Sequence, residues 1–213
     1  MNLLAIDSAS AGCAVAILAD GRLTAISRSM ARGQDAALVP LIKQAMAEAR
    51  LDFPSLDRIA VLRGPGSFTG LRIGLAAARG LGLALGRPVL GLDRLWLHRA
   101  ALPALADLLV VLDSRRSEAF CQYFSGPRAL PPHTAAPAVL LDYDKPGLRV
   151  TGDAAAAMHW QHAQPAALPE PEVVCAVRLA ATLDPAAHPA LPLYLRAPDV
   201  SHGPAPPVEE APW

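Results

Sequence analysis

RGPGSFTGLRIG, Arg63 to Gly74, sits between an apolar run, Ile59 to Leu62, and a long apolar segment, Leu71 to Leu85. That order reads as strand, tight turn, helix. Gly64-Pro65-Gly66 suits the turn, and Ser67 or Thr69 suits the helix N-cap. A phosphate loop would need Lys and Ser or Thr directly after its last glycine. Here Leu71-Arg72 follow Gly70. The spacing GxGxxxG also departs from the dinucleotide fingerprint. The stretch therefore reads as a structural strand-to-helix turn.

The helix carries a second pattern. Gly70, Gly74, Ala78, Gly82 and Gly86 recur every four residues, forming one stripe of small side chains. Interior glycines at 74, 80 and 82 each cost about 1 kcal/mol against alanine, so close approach of another backbone is the expected compensation. Ile73, Ala77, Leu81 and Ala84 form a second apolar face able to pack inward. The expectation is that the stripe meets a partner protein, with packing on the chain's own sheet as the alternative.

Outward from this helix the chain alternates strands and helices. Leu3 to Ile6 ends at Asp7, Cys13 to Leu18 follows a small-residue turn, and Asp20-Gly21 signals a hairpin into Arg22 to Ser29. Asp35 to Arg50 has helical spacing at Leu38, Leu41, Ile42, Ala45, Met46 and Ala49, with Pro40 near its first turn or at a kink. Val89 to Leu92 makes a fifth strand. The second half opens in the same way: Leu108 to Phe124 laid over Leu3 to Leu18 puts Asp113-Ser114 on Asp7-Ser8. Two α/β lobes follow from this, residues 1–100 and 101–200, with 201–213 as a flexible, proline-rich tail.

Of the 213 residues, 53% are hydrophobic, enough for a packed core, and 19 basic residues balance 19 acidic ones. A chain that gripped nucleic acid alone would carry a basic excess, so contact with RNA is expected only through a partner. Cys13, Cys121 and Cys175 are widely spaced and read as reduced, buried thiols. MNLLAIDSAS lacks a signal-peptide pattern, and Leu71 to Leu85 is too short to cross a bilayer. The expectation is a cytoplasmic protein with no membrane contact.

LLAIDSAS, RGPGSFTGLRIGLAAARGLGLALG, LDSRRSEAF and PLYLRAPD together resemble the TsaB family, also called YeaZ, over most of the chain to about Asp199. The resemblance implies an α/β, two-lobed fold of the actin-like, sugar-kinase and Hsp70 type, with mixed sheets flanked by helices. It implies a non-catalytic partner of TsaD, with TsaE as third member, in forming threonylcarbamoyladenosine beside the anticodon of tRNAs that read codons starting with A. tRNA would be met only within that complex, and a homodimer through the same glycine-rich helix is the other occupant it suggests. Many relatives open the first helix with histidine where this chain has Gln34.

Asp7 and Ser8 match the place where the actin-like superfamily holds a carboxylate near nucleotide-bound magnesium. The second turn, Asp113-Ser114-Arg115-Arg116-Ser117, has no glycine to let a phosphate near, and Thr151-Gly152-Asp153 is too short for an adenosine clamp. Half a nucleotide site is legible, so no cofactor is expected; ATP or ADP at the complex interface is what that half site leaves open. An actin-like ATPase or kinase using Asp7 is the enzymatic alternative. A degenerate, glycoprotease-like peptidase acting on TsaD is another, against which stand the absence of GxSxG and HExxH and of a cysteine near an oriented histidine. TsaD holds its metal with HxxxH; the only close pair here, His159 and His162, is spaced i,i+3 without a carboxylate and reads as surface histidines.

Overall fold

The computed structural model describes residues 1–196; the expected tail, 201–213, lies outside the described residues. Two mixed sheets form the two lobes. The first is built from β1 (Leu3–Asp7), β2 (Gly12–Ala19), β3 (Arg22–Ser29), β4 (Arg58–Leu62) and β5 (Val89–Leu92), with α1 (Gln34–Glu48) after β3 and α2 (Phe68–Leu85) after β4. Its order is β3-β2-β1-β4-β5, with β1 antiparallel to β2 and parallel to β4. α3 (Arg94–Ala101) follows β5 and leads into the second lobe.

That lobe contains β6 (Asp107–Leu112), β7 (Ala119–Ser125), β8 (Arg128–Ala129), β9 (His133–Ala135), α4 (Pro137–Leu140), β10 (Arg149–Thr151) and β11 (Gln164–Pro165). β6 is antiparallel to β7 and parallel to β10, the same local topology as β1 with β2 and β4. The match of Asp7-Ser8 with Asp113-Ser114 is thus a match of structure: each pair closes the first strand of a lobe.

β1 is buried along its whole length because helices cover both faces of its sheet. Leu4 and Ile6 point to one face with Val15, Ile17, Ile59 and Val61, where Leu38, Leu41, Ile42 and Met46 of α1 and Leu75 and Ala78 of α2 close over them. Leu3 and Ala5 point to the other face. There Ala16, Ala5 and Ala60 stand side by side on three neighbouring strands. This small-residue floor lets a helix lie close, and α5 (Glu172–Ala180) lies on it through Val173, Val174, Ala176, Val177 and Ala180. Each of its buried valines contributes about 1.5–3 kcal/mol. A chain segment about 80 residues beyond β5 thus returns to the first sheet; Arg58 fastens it by donating to the carbonyls of Ala180 and Leu183. Leu90 also bridges to Pro189.

α2 starts where the sequence places it. Ser67 is the N-cap, its Oγ accepting from Gly70 N at 3.2 Å, and Gly86 ends the helix in the left-handed conformation. This helix is long and apolar enough to cross a membrane by length and composition, but its stripe is buried on the sheet. That is a correction to the expected partner-facing stripe. Gly70, Gly74, Ala78 and Gly82 all point into the chain itself. A β-carbon at 70 would collide with the Ser8 carbonyl, one at 74 with Ser8 Oγ, and one at 82 with the Val89 side chain. The fifth member, Gly86, is exposed at the cap, with open space where a β-carbon would stand.

Candidate functional site

The glycine loop leads α2 up to the chain's own first turn. Ser67 N donates to Ala9 O at 2.9 Å, and a β-carbon at Gly66 would also strike Ala9. Ser8 Oγ donates to Gly70 O at 2.7 Å inside the core. Ser8, one of the two nucleotide candidates, is therefore a strut between β1 and α2. The backbone that approaches the glycines so closely is that of Ser8 and Ala9.

Asp7, the other candidate, is buried at the end of β1. Its carboxylate accepts from Ala9 N at 2.9 Å, from Ser10 N at 3.3 Å, and from Ser10 Oγ. Burial is the largest influence and lifts its pKa above the ordinary carboxylate value; Arg94 partly opposes this. The second lobe closes the same turn, since Arg115 Nη2 donates to Ser10 O at 2.7 Å. Asp7 and Ser8 are thus both committed to intramolecular hydrogen bonds.

The strongest electrostatic feature was not singled out from the sequence. Arg94 is 2% exposed, yet ion-paired. Its Nε and Nη2 reach Glu172 Oε2 and Oε1 at 2.7 and 2.9 Å, Nη1 donates to Pro65 O at 3.0 Å, and Nη2 meets Asp153 at 3.4 Å. Burial opposes its charge, but Glu172, Asp7 and Asp153 outweigh burial and raise its pKa. Burial likewise works against the Glu172 carboxylate, but Arg94 and His98 overcome it and hold its pKa down to about 2. His98 bridges Glu172 Oε1 at 3.0 Å and Thr151 Oγ1 at 3.2 Å. Asp153 also accepts from Asp113 N at 2.6 Å. One guanidinium therefore ties the glycine loop, α5 and the second lobe together. Arg94 and His98 stand i,i+4 on one helix, a readable spacing; Glu172 lies 78 residues away and no local pattern announces it.

A cavity of about 800 Å³ opens beside this network, lined by His98, Thr151, Asp153, Met158, Trp160 and Leu168 among others. Among the described residues, no group of three or more His, Cys, Asp or Glu stands together to hold a metal. His159 and His162 are exposed, as expected. All three cysteines are free and buried. One expectation is corrected: Cys121 Sγ does lie beside a histidine, 3.3 Å from His133 Nε2, whose Nδ1 is 3.1 Å from Pro131 O. The two residues face each other across paired strands, a relation that sequence distance hides. Burial pushes the Cys121 thiol up to about 11, the opposite of an activated nucleophile.

Fold and site define a class: a two-lobed α/β protein of the actin-like fold, with Asp7 and Ser8 at the turn that closes the first strand. The family model described as TsaD, tRNA N6-adenosine threonylcarbamoyltransferase, matches residues 28–147, and the solved structure of YeaZ from Pseudomonas aeruginosa superposes with a TM-score of 0.69 at 26% identity, covering 91% of this chain and 99% of that one. The chain belongs to the TsaB (YeaZ) family. An uncharacterized protein of Mycobacterium tuberculosis is 37% identical over 207 residues, 93% of each chain. The tRNA threonylcarbamoyladenosine biosynthesis protein TsaB of Escherichia coli K12 is 32% identical over 127 residues, covering 56% of this chain and 53% of that protein.

Proposed function

We propose that this chain takes part in forming threonylcarbamoyladenosine beside the anticodon of tRNAs that read codons starting with A. Its role is that of a non-catalytic subunit that binds and supports TsaD, with TsaE as a further member. Relatives named for this biosynthesis support the pathway. The committed state of Asp7 and Ser8 supports the non-catalytic role, and no cofactor of its own is assigned. The reaction's setting is the cytoplasm, and tRNA is engaged within the complex.

The observation that carries the supporting role is the outward face of α2. Burying the glycine stripe turns Ala76, Gly80, Leu83 and Ala84 to solvent, with Leu83 88% exposed. Val39 on the neighbouring α1 is 50% exposed. An exposed leucine beside small residues on a rigid helix pair suits a facing helix of the partner. Leu83→Glu is expected to leave the melting temperature unchanged, as for a surface site. Association with TsaD should weaken at least about tenfold, the equivalent of 1.4 kcal/mol, measured by calorimetry on purified proteins. Unchanged association would remove this face from the interface, and a second copy held by the same face would appear as a change of oligomeric state in sedimentation.

A further inference from the structure

Between β5, α3 and β7 lies a hollow of about 290 Å³, which segment 187–189 also lines. Its walls are held by the backbone. Gly91 N donates to His188 O at 2.9 Å, and a β-carbon at Gly91 would strike Pro189 O and Ala190. Glycine therefore lets the two segments close on each other. Trp96 and His188 stand with ring centres 5.4 Å apart in the same wall.

Gln122 enters from the middle of β7 and is 9% exposed. Its Nε2 donates to Leu130 O at 2.9 Å. That contact fixes the amide's orientation, because the reversed amide would set oxygen against oxygen. Its Oε1 is buried and meets no donor among the described residues. Buried acceptors are almost always paired, so this oxygen points to a donor from outside the chain. Two opposite charges line the same hollow. Asp93 Oδ1 caps α3, accepting from Leu95 N at 2.8 Å and Trp96 N at 3.3 Å, while Oδ2 is not used by the cap. Burial, the largest influence, raises the Asp93 pKa; Arg63 and Arg94 act on it only through space. Arg63 donates Nη1 to Leu191 O at a long 3.4 Å. Among the described residues neither Asp93 nor Arg63 stands in an ion pair.

An amide oxygen and a carboxylate oxygen together accept from an ammonium group, and an indole face attracts the same cation. A guanidinium binds a carboxylate. A ligand with both groups answers both charges, whereas a simple amine would be opposed by Arg63 and a simple acid by Asp93. The volume falls just below the roughly 300–1,000 Å³ of sites for drug-sized ligands, which suits a smaller molecule. Pro132, Ala187 and Pro189 add an apolar wall. We propose that this hollow binds a free α-amino acid with an apolar side chain, its ammonium on Gln122 Oε1 and Asp93 and its carboxylate on Arg63. The proposal is independent of the supporting role argued above, since no residue of the outward α2 face takes part.

The test is calorimetric titration of the full-length protein with L-leucine, isocaproate and isoamylamine; the last two are leucine without its ammonium and without its carboxylate. L-leucine should bind saturably, one per chain, and each analogue at least about tenfold more weakly, as for loss of a charged hydrogen bond. Asp93→Asn keeps a capping oxygen but loses the charge, and Gln122→Met removes Oε1 at similar length. Each should weaken L-leucine by about tenfold or more. Arg63→Gln should weaken L-leucine to a similar degree without weakening isoamylamine. Thermal unfolding of each variant confirms that it is folded; Arg63→Gln, away from the cap and the β7 core, decides the matter if the other two are not. No saturable heat from L-leucine would mean that an ordered water meets Gln122 Oε1, and would overturn the proposal. So would equal affinity for L-leucine and either analogue, or full affinity in folded Asp93→Asn and Gln122→Met.

Discussion

The first sheet is held differently on its two faces. On one, α1 and α2 close over leucine, isoleucine and valine, and α2 comes near because glycines remove the side chains that would keep it away. On the other, α5 lies on an alanine floor, and its start is pinned by the Arg94–Glu172–His98 cluster. The first contact is apolar but for the Cys13 thiol and depends on shape. The second adds a buried ion pair, whose integrity depends on both partners and on pH. The difference teaches that one sheet can have one face that fails by overpacking and another that fails by losing a charge.

The largest effect is expected on the ionic face. Glu172→Gln leaves the Arg94 guanidinium buried with its main counter-charge gone, which costs about 3–5 kcal/mol; equilibrium denaturation at neutral pH reads it. The pH dependence has a definite sign. Glu172 is held at about 2 in the folded chain against 4.5 when free, so its stabilisation is complete above 4.5 and is lost as pH falls from 4.5 towards 2. Asp7, raised by burial, acts oppositely and costs stability as pH rises above 3.8. In Glu172→Gln the acid-side loss due to Glu172 should vanish. An acid transition identical to the wild type would mean that the cluster is not what pins α5.

A smaller effect is expected on the dry face. Gly74→Leu forces a branched side chain against Ser8 and Val61, and overpacking of this kind costs about 1–3 kcal/mol. It should lower the melting temperature equally at every pH where the wild type is folded. A melting temperature that does not move would place the stripe outside the core and erase the contrast between the faces.

The smallest effect is of opposite sign. Gly80 lies on the outward side of α2, with nothing within 4 Å of where a β-carbon would stand. Gly80→Ala should therefore stabilise the free chain by up to about 1 kcal/mol, the propensity difference in an exposed helix, read as a rise in thermal midpoint.

The five strands of the first sheet, β6 and β7, the first hairpin, the extent of α2 and the pairing of Asp7-Ser8 with Asp113-Ser114 were legible, whereas the short strands β8 to β11 were not. Each legible feature is written in local spacing: apolar runs of strand length, Asp20-Gly21 at a turn and Ser67 ahead of a helix. The need for a close neighbour along the small-residue stripe was legible too, because glycine in a helix interior is costly by itself. Which neighbour it was could not be read. Both α2 faces are apolar or small; Ile73, Ala77 and Leu81 pack partly against the core as expected while Ala84 is exposed, and the collision of a β-carbon with Ser8 and Val89 shows that the stripe also turns inward.

By itself the sequence determined the alternation of elements, the two-lobed α/β class and the absence of a phosphate-loop pattern, because hydrophobic period, turn chemistry and capping act over a few residues. Only the tertiary structure decided what those elements touch. It brought Glu172 to Arg94 across 78 positions, set Cys121 opposite His133 on paired strands, and turned the expected partner stripe onto the chain's own sheet. It also brought Gln122 of β7 into the same hollow as Asp93 and Trp96. The physical reason is common to all four: burial and charge are properties of neighbours in space, and neighbours in space are chosen by packing the whole chain.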